Sequence, residues 1–157
     1  LTSINIPDSV TSIGTDAFTG CPALQNIVGN LIYLKTTTSD YYYLLGTTTS
    51  SLTSVTINDN CKIIGSRVFN YCTELTTVTI PNGVTLIGEY AFYCCSSLIS
   101  INIPESVKLI SASAFSSCSK LTTKIGSGWV KVSDGSKVNE TALLSSISYD
   151  VKRSTNA

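Results

Sequence analysis

The sequence predicts a β-rich solenoid built from coils of 23 residues, and three observations carry that expectation. Leu52, Leu75, Leu98 and Leu121 recur at intervals of 23, and an earlier copy runs from Leu1 to Leu24. All four phenylalanines (Phe18, Phe69, Phe92, Phe115) fall at the eighteenth position of a copy. Four of the six cysteines (Cys21, Cys72, Cys95, Cys118) fall at the twenty-first. A fixed period of this kind decides the architecture before any local reading does.

Each copy opens L-x-x-I-x-I, with Ile4, Val55, Val78 and Ile101 at position four and Ile6, Ile57, Ile80 and Ile103 at position six. Apolar side chains there alternate with Ser, Thr or Asn, the period-two pattern of a short strand. Pro7, Pro81 and Pro104 then end it, because proline has no amide hydrogen to give to a ladder and fixes its own φ. Val10, Val84 and Val107 follow, then Ile13, Ile64, Ile87 and Ile110. Gly14, Gly65 and Gly88 are expected where a turn needs positive φ. The return limb Ala-Phe-x-x-Cys-x-x-Leu is expected to be a short helical or irregular turn. Stacked coils would set the phenylalanines roughly 4.8 Å apart as a ladder of rings. One coil buries almost nothing alone, so stability must reside in the interfaces between neighbours.

On this register the solenoid covers residues 1–123, as coils 1–23, 24–51, 52–74, 75–97 and 98–120, and residues 124–157 form a cap or the start of an adjoining module. The coil 24–51 is irregular. Two arms rich in strand formers, 31–34 and 41–45, flank a Thr/Ser/Asp turn at 36–40, which reads as a hairpin that replaces a return limb or projects from it. In the last segment Trp129 to Val132 alternates like a strand, Asp134-Gly135 is a hairpin turn signal, and Asn139 is placed to cap a short helix over 140–148. The only Trp is expected to seal the last coil, and residues from Val151 onward read as a polar, frayed tail.

The string L-T-S-I-N-I-P-x-S-V-T-x-I-G-x-x-A-F-x-x-C-x-x-L resembles the BspA-like leucine-rich repeat over residues 1–24 and 52 to about 121. The chain departs from that pattern at Asn58 and Cys61, which stand for Pro and Val, at Val68 for Ala and at Ser111 for Gly. The resemblance implies a leucine-rich repeat scaffold, a secreted or cell-surface location in a bacterium, and a role in adhesion or recognition. It carries no catalytic residues, and its motif fixes no binding residues.

Composition narrows the chemistry further. Ten basic and ten acidic side chains give zero net charge, so no electrostatic footprint for nucleic acid or an anionic membrane is present. No apolar run is long enough to span a bilayer. The chain starts inside its repeating pattern and contains no Met, and is read as a piece of a longer protein with any targeting signal outside it. There is no His, which removes His-based nucleophile systems, and no phosphate-cradling glycine loop. No catalytic residue, metal site or cofactor is therefore expected. The in-phase cysteines read as inward-facing thiols that behave as small hydrophobes, and no C-x-x-C spacing suggests zinc.

Two surfaces remain as binding candidates. Tyr33, Tyr41, Tyr42 and Tyr43 of the irregular coil either cover the core or form an exposed patch, and tyrosine suits interfaces because its ring offers area at low entropy cost. The alternative is the solvent face of the opening strands, Ser54 and Thr56, Thr77 and Thr79, Ser100 and Asn102, which is neutral and small and could simply be solvated. The expected partner is a host or bacterial surface protein or a glycan. A spacer that only holds another domain away from the cell remains the competing role, and it requires the hairpin tyrosines to be buried.

Overall fold

The computed structural model describes residues 1–10, 12–14 and 16–154. Its main sheet has eight strands in the order β1-β2-β3-β5-β7-β8-β10-β9. The three central coils supply β5 (Ile63–Ile64), β7 (Leu86–Ile87) and β8 (Leu109–Ile110), paired in parallel with Ile63 opposite Leu86 and Leu86 opposite Leu109. The opening L-x-x-I-x-I segments yield only a two-stranded parallel sheet, β4 (Ser54–Thr56) against β6 (Thr77–Thr79). The longest ladder therefore lies one corner later in each coil than the sequence pattern suggests. The physical reason is two-sided burial. Ile64, Ile87 and Ile110 face the core while Ile63 and Leu86 are buried on the opposite side, the situation parallel strands favour, whereas β4 and β6 bury only their central valine.

Coil-to-coil packing is tightest at two places. Phe69, Phe92 and Phe115 are fully buried and stack with centroids 5.1 and 5.0 Å apart and planes 19° and 4° from parallel. At Gly88 a Cβ would lie 2.7 Å from the Gly65 carbonyl carbon and the Ser66 nitrogen, and at Gly65 it would lie 2.7 Å from the Leu44 oxygen. These glycines do not adopt positive φ, as the sequence reading expected; they let one backbone approach the next. Positive φ occurs instead at positions sixteen and twenty of each regular coil, at Arg67 and Tyr71, Tyr90 and Cys94, and Ser113 and Ser117. Between these points alternate amides cross to the next coil, Arg67 to the Glu89 oxygen, Phe69 to Ala91 and Tyr71 to Tyr93.

The first coil does not join this stack. Phe18 is half-buried and stands outside the phenylalanine ladder, and Ile4, Ile6 and Ile13 pack with it against Leu24, Leu34, Tyr43, Ile63 and Leu86. The cause is the segment that follows. β1 (Gln25–Val28), β2 (Leu31–Leu34) and β3 (Tyr43–Thr47) form an antiparallel meander, and β3 then pairs in parallel with β5. The expected hairpin is the β2-β3 pair, and a further arm, β1, is turned back at Gly29, whose φ is 60°. With the meander occupying the end of the stack, coil one lies on the outer side of the sheet, held by Thr37 N–H to the Ile4 oxygen and the Tyr43 hydroxyl to the Ile13 oxygen.

At the other end, β9 (Trp129–Lys131) and β10 (Val151–Arg153) extend the sheet, with Val151 opposite Ile110. Val151–Arg153 is thus a strand, with Val151 buried, and not a frayed tail; residues 155–157 lie outside the described residues. The Asp134-Gly135 turn forms as expected, with Gly135 at φ 74° and the Lys131 amide donating to the Ser136 oxygen. No helix covers 140–148: the Asn139 side chain accepts from the Thr141 amide in a local turn, and only a 3-10 turn, Leu144–Ser146, follows. The competing backbone bond made by Asn139 suits a turn as well as a helix start. Trp129 is buried, and the Arg153 guanidinium lies 4.3 Å over its ring while donating to the Val107 and Pro104 oxygens.

Two substitutions test this packing. Phe92→Ala should destabilise the fold by roughly 3 to 5 kcal/mol, because it removes the middle ring of the ladder. Gly88→Ala should cost about 3 kcal/mol by forcing neighbouring backbones apart. Chemical denaturation measures both, and a loss below about 1 kcal/mol in either would contradict the contact assigned to it.

Candidate binding surface

Of the four tyrosines named as binding candidates, which either cover the core or form an exposed patch, the structure buries two. Tyr33 is 1% exposed and its hydroxyl accepts a hydrogen bond from the Asn58 amide. Tyr43 is 2% exposed, donates to the Ile13 oxygen and is pushed up to about 12 by burial. Both are removed from any contact surface because alternate residues of β2 and β3 face the core on one side and coil one on the other. Tyr41 is half-buried with its ring 5.4 Å from Tyr33, edge to face, and Tyr42 is half-buried with its hydroxyl directed at Asp8. The opening-strand residues Ser54, Thr56, Thr77, Thr79, Ser100 and Asn102 are all exposed, but only the first four lie in strands.

A second tyrosine cluster lies on the return limbs of coils 52–74 and 75–97. Tyr71 is 56% exposed and meets Tyr93 edge to face with centroids 5.3 Å apart. Tyr93 meets Tyr90 in the same way at 5.4 Å, and the Arg67 guanidinium sits 4.5 Å above the Tyr90 ring. These residues occupy positions sixteen, nineteen and twenty, flanking the inward phenylalanine at eighteen. Register places them on the return limb but does not by itself separate outward from inward positions there, since position seventeen (Val68, Ala91, Ala114) is buried beside the phenylalanine. A hydrogen bond with Cys94 holds the Tyr93 hydroxyl above the ordinary tyrosine range.

The backbone under this patch is unusual for such side chains. Tyr71 and Tyr90 have φ of 59° and 55°, a region where a Cβ is crowded and where coil one places Gly20 at φ 79°. Each bulky residue held there costs of order 1 to 3 kcal/mol. Tyr71 projects into solvent and Tyr90 is half-buried under the Arg67 guanidinium, and neither ring belongs to the core.

The thiols are structural. Cys95 and Cys118 donate to the Phe69 and Phe92 oxygens of the preceding coil at 3.2 and 3.0 Å, and Cys61 donates to the Ile63 oxygen. Burial raises Cys72 and pushes Cys61 up to about 12, while a hydrogen bond with Cys118, followed by burial, holds Cys95 above the ordinary thiol value. Among the described residues no group of three His, Cys, Asp or Glu is placed to hold a metal ion, and no helix is long and apolar enough to cross a membrane.

The family model for the BspA type leucine-rich repeat region matches residues 1–122 and 36–150, with six copies. The chain belongs to the BspA-type leucine-rich repeat family. No curated protein matches it in sequence. Among solved structures it is similar to a leucine-rich repeat protein of T. pallidum, at 27% identity and a TM-score of 0.46, over 74% of this chain and 42% of that one. It is also similar to a leucine-rich cell surface protein of Faecalibacterium prausnitzii A2-165, at 32% identity and a TM-score of 0.47, over 76% of this chain and 30% of that one. This BspA-type chain thus spans less than half the length of either relative.

Thiol accessibility yields a prediction with a definite pH sign. Cys61 and Tyr43 have folded values near 12, above their ordinary 9.0 and 10.0, so the unfolded chain loses those protons first. Their contribution to stability should be fully present below about pH 9 and fall as pH rises toward 12. Urea denaturation at pH 8, 9.5 and 10.5 should show a declining midpoint, and at pH 8 a thiol reagent should reach only Cys94 and Cys21 before unfolding. Rapid native labelling of Cys61 or Cys95 would show that those sites are open.

Proposed function

We propose that this BspA-type segment is a non-catalytic binding module of an extracellular or cell-surface bacterial protein, with adhesion as its role and its contact centred on Tyr71, Tyr90, Tyr93 and Arg67. One observation carries the reading: two tyrosines, Tyr71 exposed and Tyr90 half-buried, stand at left-handed backbone positions where glycine fits without strain. Strain of this kind clusters at functional sites, and tyrosine and arginine are the residues in which binding energy concentrates. The family membership supports the module class, and the cell-surface relative supports the location.

Burial of Tyr33 and Tyr43 is what a spacer without a ligand requires of the irregular coil. The cluster on the return limbs favours binding, because a spacer has no use for strained, solvent-facing rings. The opening-strand hydroxyls offer only small groups that exchange one hydrogen bond with water for another, so they are the weaker site.

The test uses surface-immobilised host matrix and mucus. Changing Tyr71, Tyr90 and Tyr93 together to Ser should weaken capture of the chain by more than about tenfold, or about 1.4 kcal/mol. Changing Thr56, Thr79 and Asn102 to Ala should have little effect. Circular dichroism confirms that both variants remain folded. Loss of binding in the strand-face variant alone would move the site to β4 and β6, and no capture of the parent chain on any surface would favour the spacer.

A further inference from the structure

The return limbs form a step. At positions sixteen, nineteen and twenty, coil 75–97 carries Tyr90, Tyr93 and Cys94, and coil 98–120 carries Ser113, Ser116 and Ser117 in the same register. The aromatic wall of coils 52–74 and 75–97 therefore gives way on the next coil to a ledge of small hydroxyls, and coil 52–74 presents Asn70 beside Tyr71. Among the described residues, no hydrogen bond within the protein engages the side chains of Asn70, Ser113, Ser116 or Ser117. Asn70, Ser113 and Ser116 are half-exposed and Ser117 is exposed.

We infer that this step is a subsite for a neutral glycan, with a hexose lying against the Tyr93 ring and its hydroxyls on the serine ledge. The inference rests on the binding role proposed above and names its ligand class. Sugar C–H groups carry partial positive charge and suit the negative face of an aromatic ring. Ser hydroxyls and an Asn amide can each donate and accept, matching sugar hydroxyls that do the same. Charge points the same way. Arg67 lies over the Tyr90 ring, and the charge beside the ledge is the Asp150 carboxylate, which accepts from the Ala112 amide next to Ser113, so an anionic sugar gains no ion pair at the serines. A protein ligand would instead call for a broad surface with an apolar centre, and the ledge provides hydroxyls in its place.

The experiment has two arms. In the first, the chain is titrated with lactose, cellobiose and mannobiose, and with sialyllactose and a heparin disaccharide as anionic comparators, followed by saturation-transfer NMR. At least one neutral disaccharide should bind in the millimolar range and in preference to both anionic probes. Tyr93→Ala should weaken that binding about tenfold, equivalent to about 1.4 kcal/mol, while Tyr93→Phe, which keeps the ring, should retain most of it. Absence of transfer from every neutral probe, stronger binding of an anionic one, or full binding by Tyr93→Ala would overturn the inference. In the second arm, a mucin surface is treated with periodate or with trypsin before the chain is applied. Binding lost to periodate and kept after trypsin supports a glycan. The reverse overturns the glycan while leaving the proposed binding role in place with a protein ligand.

Discussion

Everything in this chain depends on how closely one coil can approach the next. The approach is set by backbone contact at Gly65 and Gly88 and by the flat stacking of three phenylalanine rings. Those contacts bring the backbone amides of one coil onto the carbonyls of its neighbour along β5, β7 and β8 and again along the return limb. They also bring the thiols of Cys95 and Cys118 within reach of the phenylalanine oxygen of the preceding coil. A cysteine fills that slot well because it packs as a small hydrophobe and still offers a weak donor to a buried carbonyl.

Close stacking fixes the surface as strictly as the core. A limb that turns tightly enough to aim a phenylalanine inward must pass through left-handed geometry on either side of it, at positions sixteen and twenty. Side chains at those positions project outward whatever their size, so the scaffold presents them without rearrangement. The same construction can carry Arg67, Tyr71, Tyr90 and Tyr93 on two coils and serines on the third. Variation there changes the outer chemistry and leaves the ladder intact, as expected where stability is a sum of neighbour interfaces.

The ends of the stack follow different logic. A solenoid end exposes ladder groups and core side chains that would normally meet another coil. At the N-terminal side an antiparallel meander replaces the missing coil, and Tyr33 closes the core there with a hydrogen bond to the Asn58 amide. At the C-terminal side Trp129 supplies bulk, and Arg153 donates to the Val107 and Pro104 oxygens of the last coil. Among the described residues no buried side-chain polar atom is left without a partner, which is the condition such an end must meet.

The sequence by itself determined the repeat, its register, the inward ladder of phenylalanines and thiols in the regular coils, the hairpin between 31–34 and 41–45 and the Asp134-Gly135 turn. Each of these rests on periodicity or local turn chemistry, which are properties of neighbouring residues. Tertiary structure alone decided that coil one lies on the outer face of the sheet, that Tyr33 and Tyr43 are buried, and that Val151–Arg153 is a strand. It also decided that Gly65 and Gly88 serve close approach in place of positive φ. These outcomes depend on which surfaces meet across tens of residues: a tyrosine is buried or exposed according to what packs on it, and a short polar-looking segment becomes a strand when an open sheet edge lies beside it. The position of the exposed tyrosine patch lies between the two cases, since register places its residues on the limb and only the stacking of two coils brings their rings together.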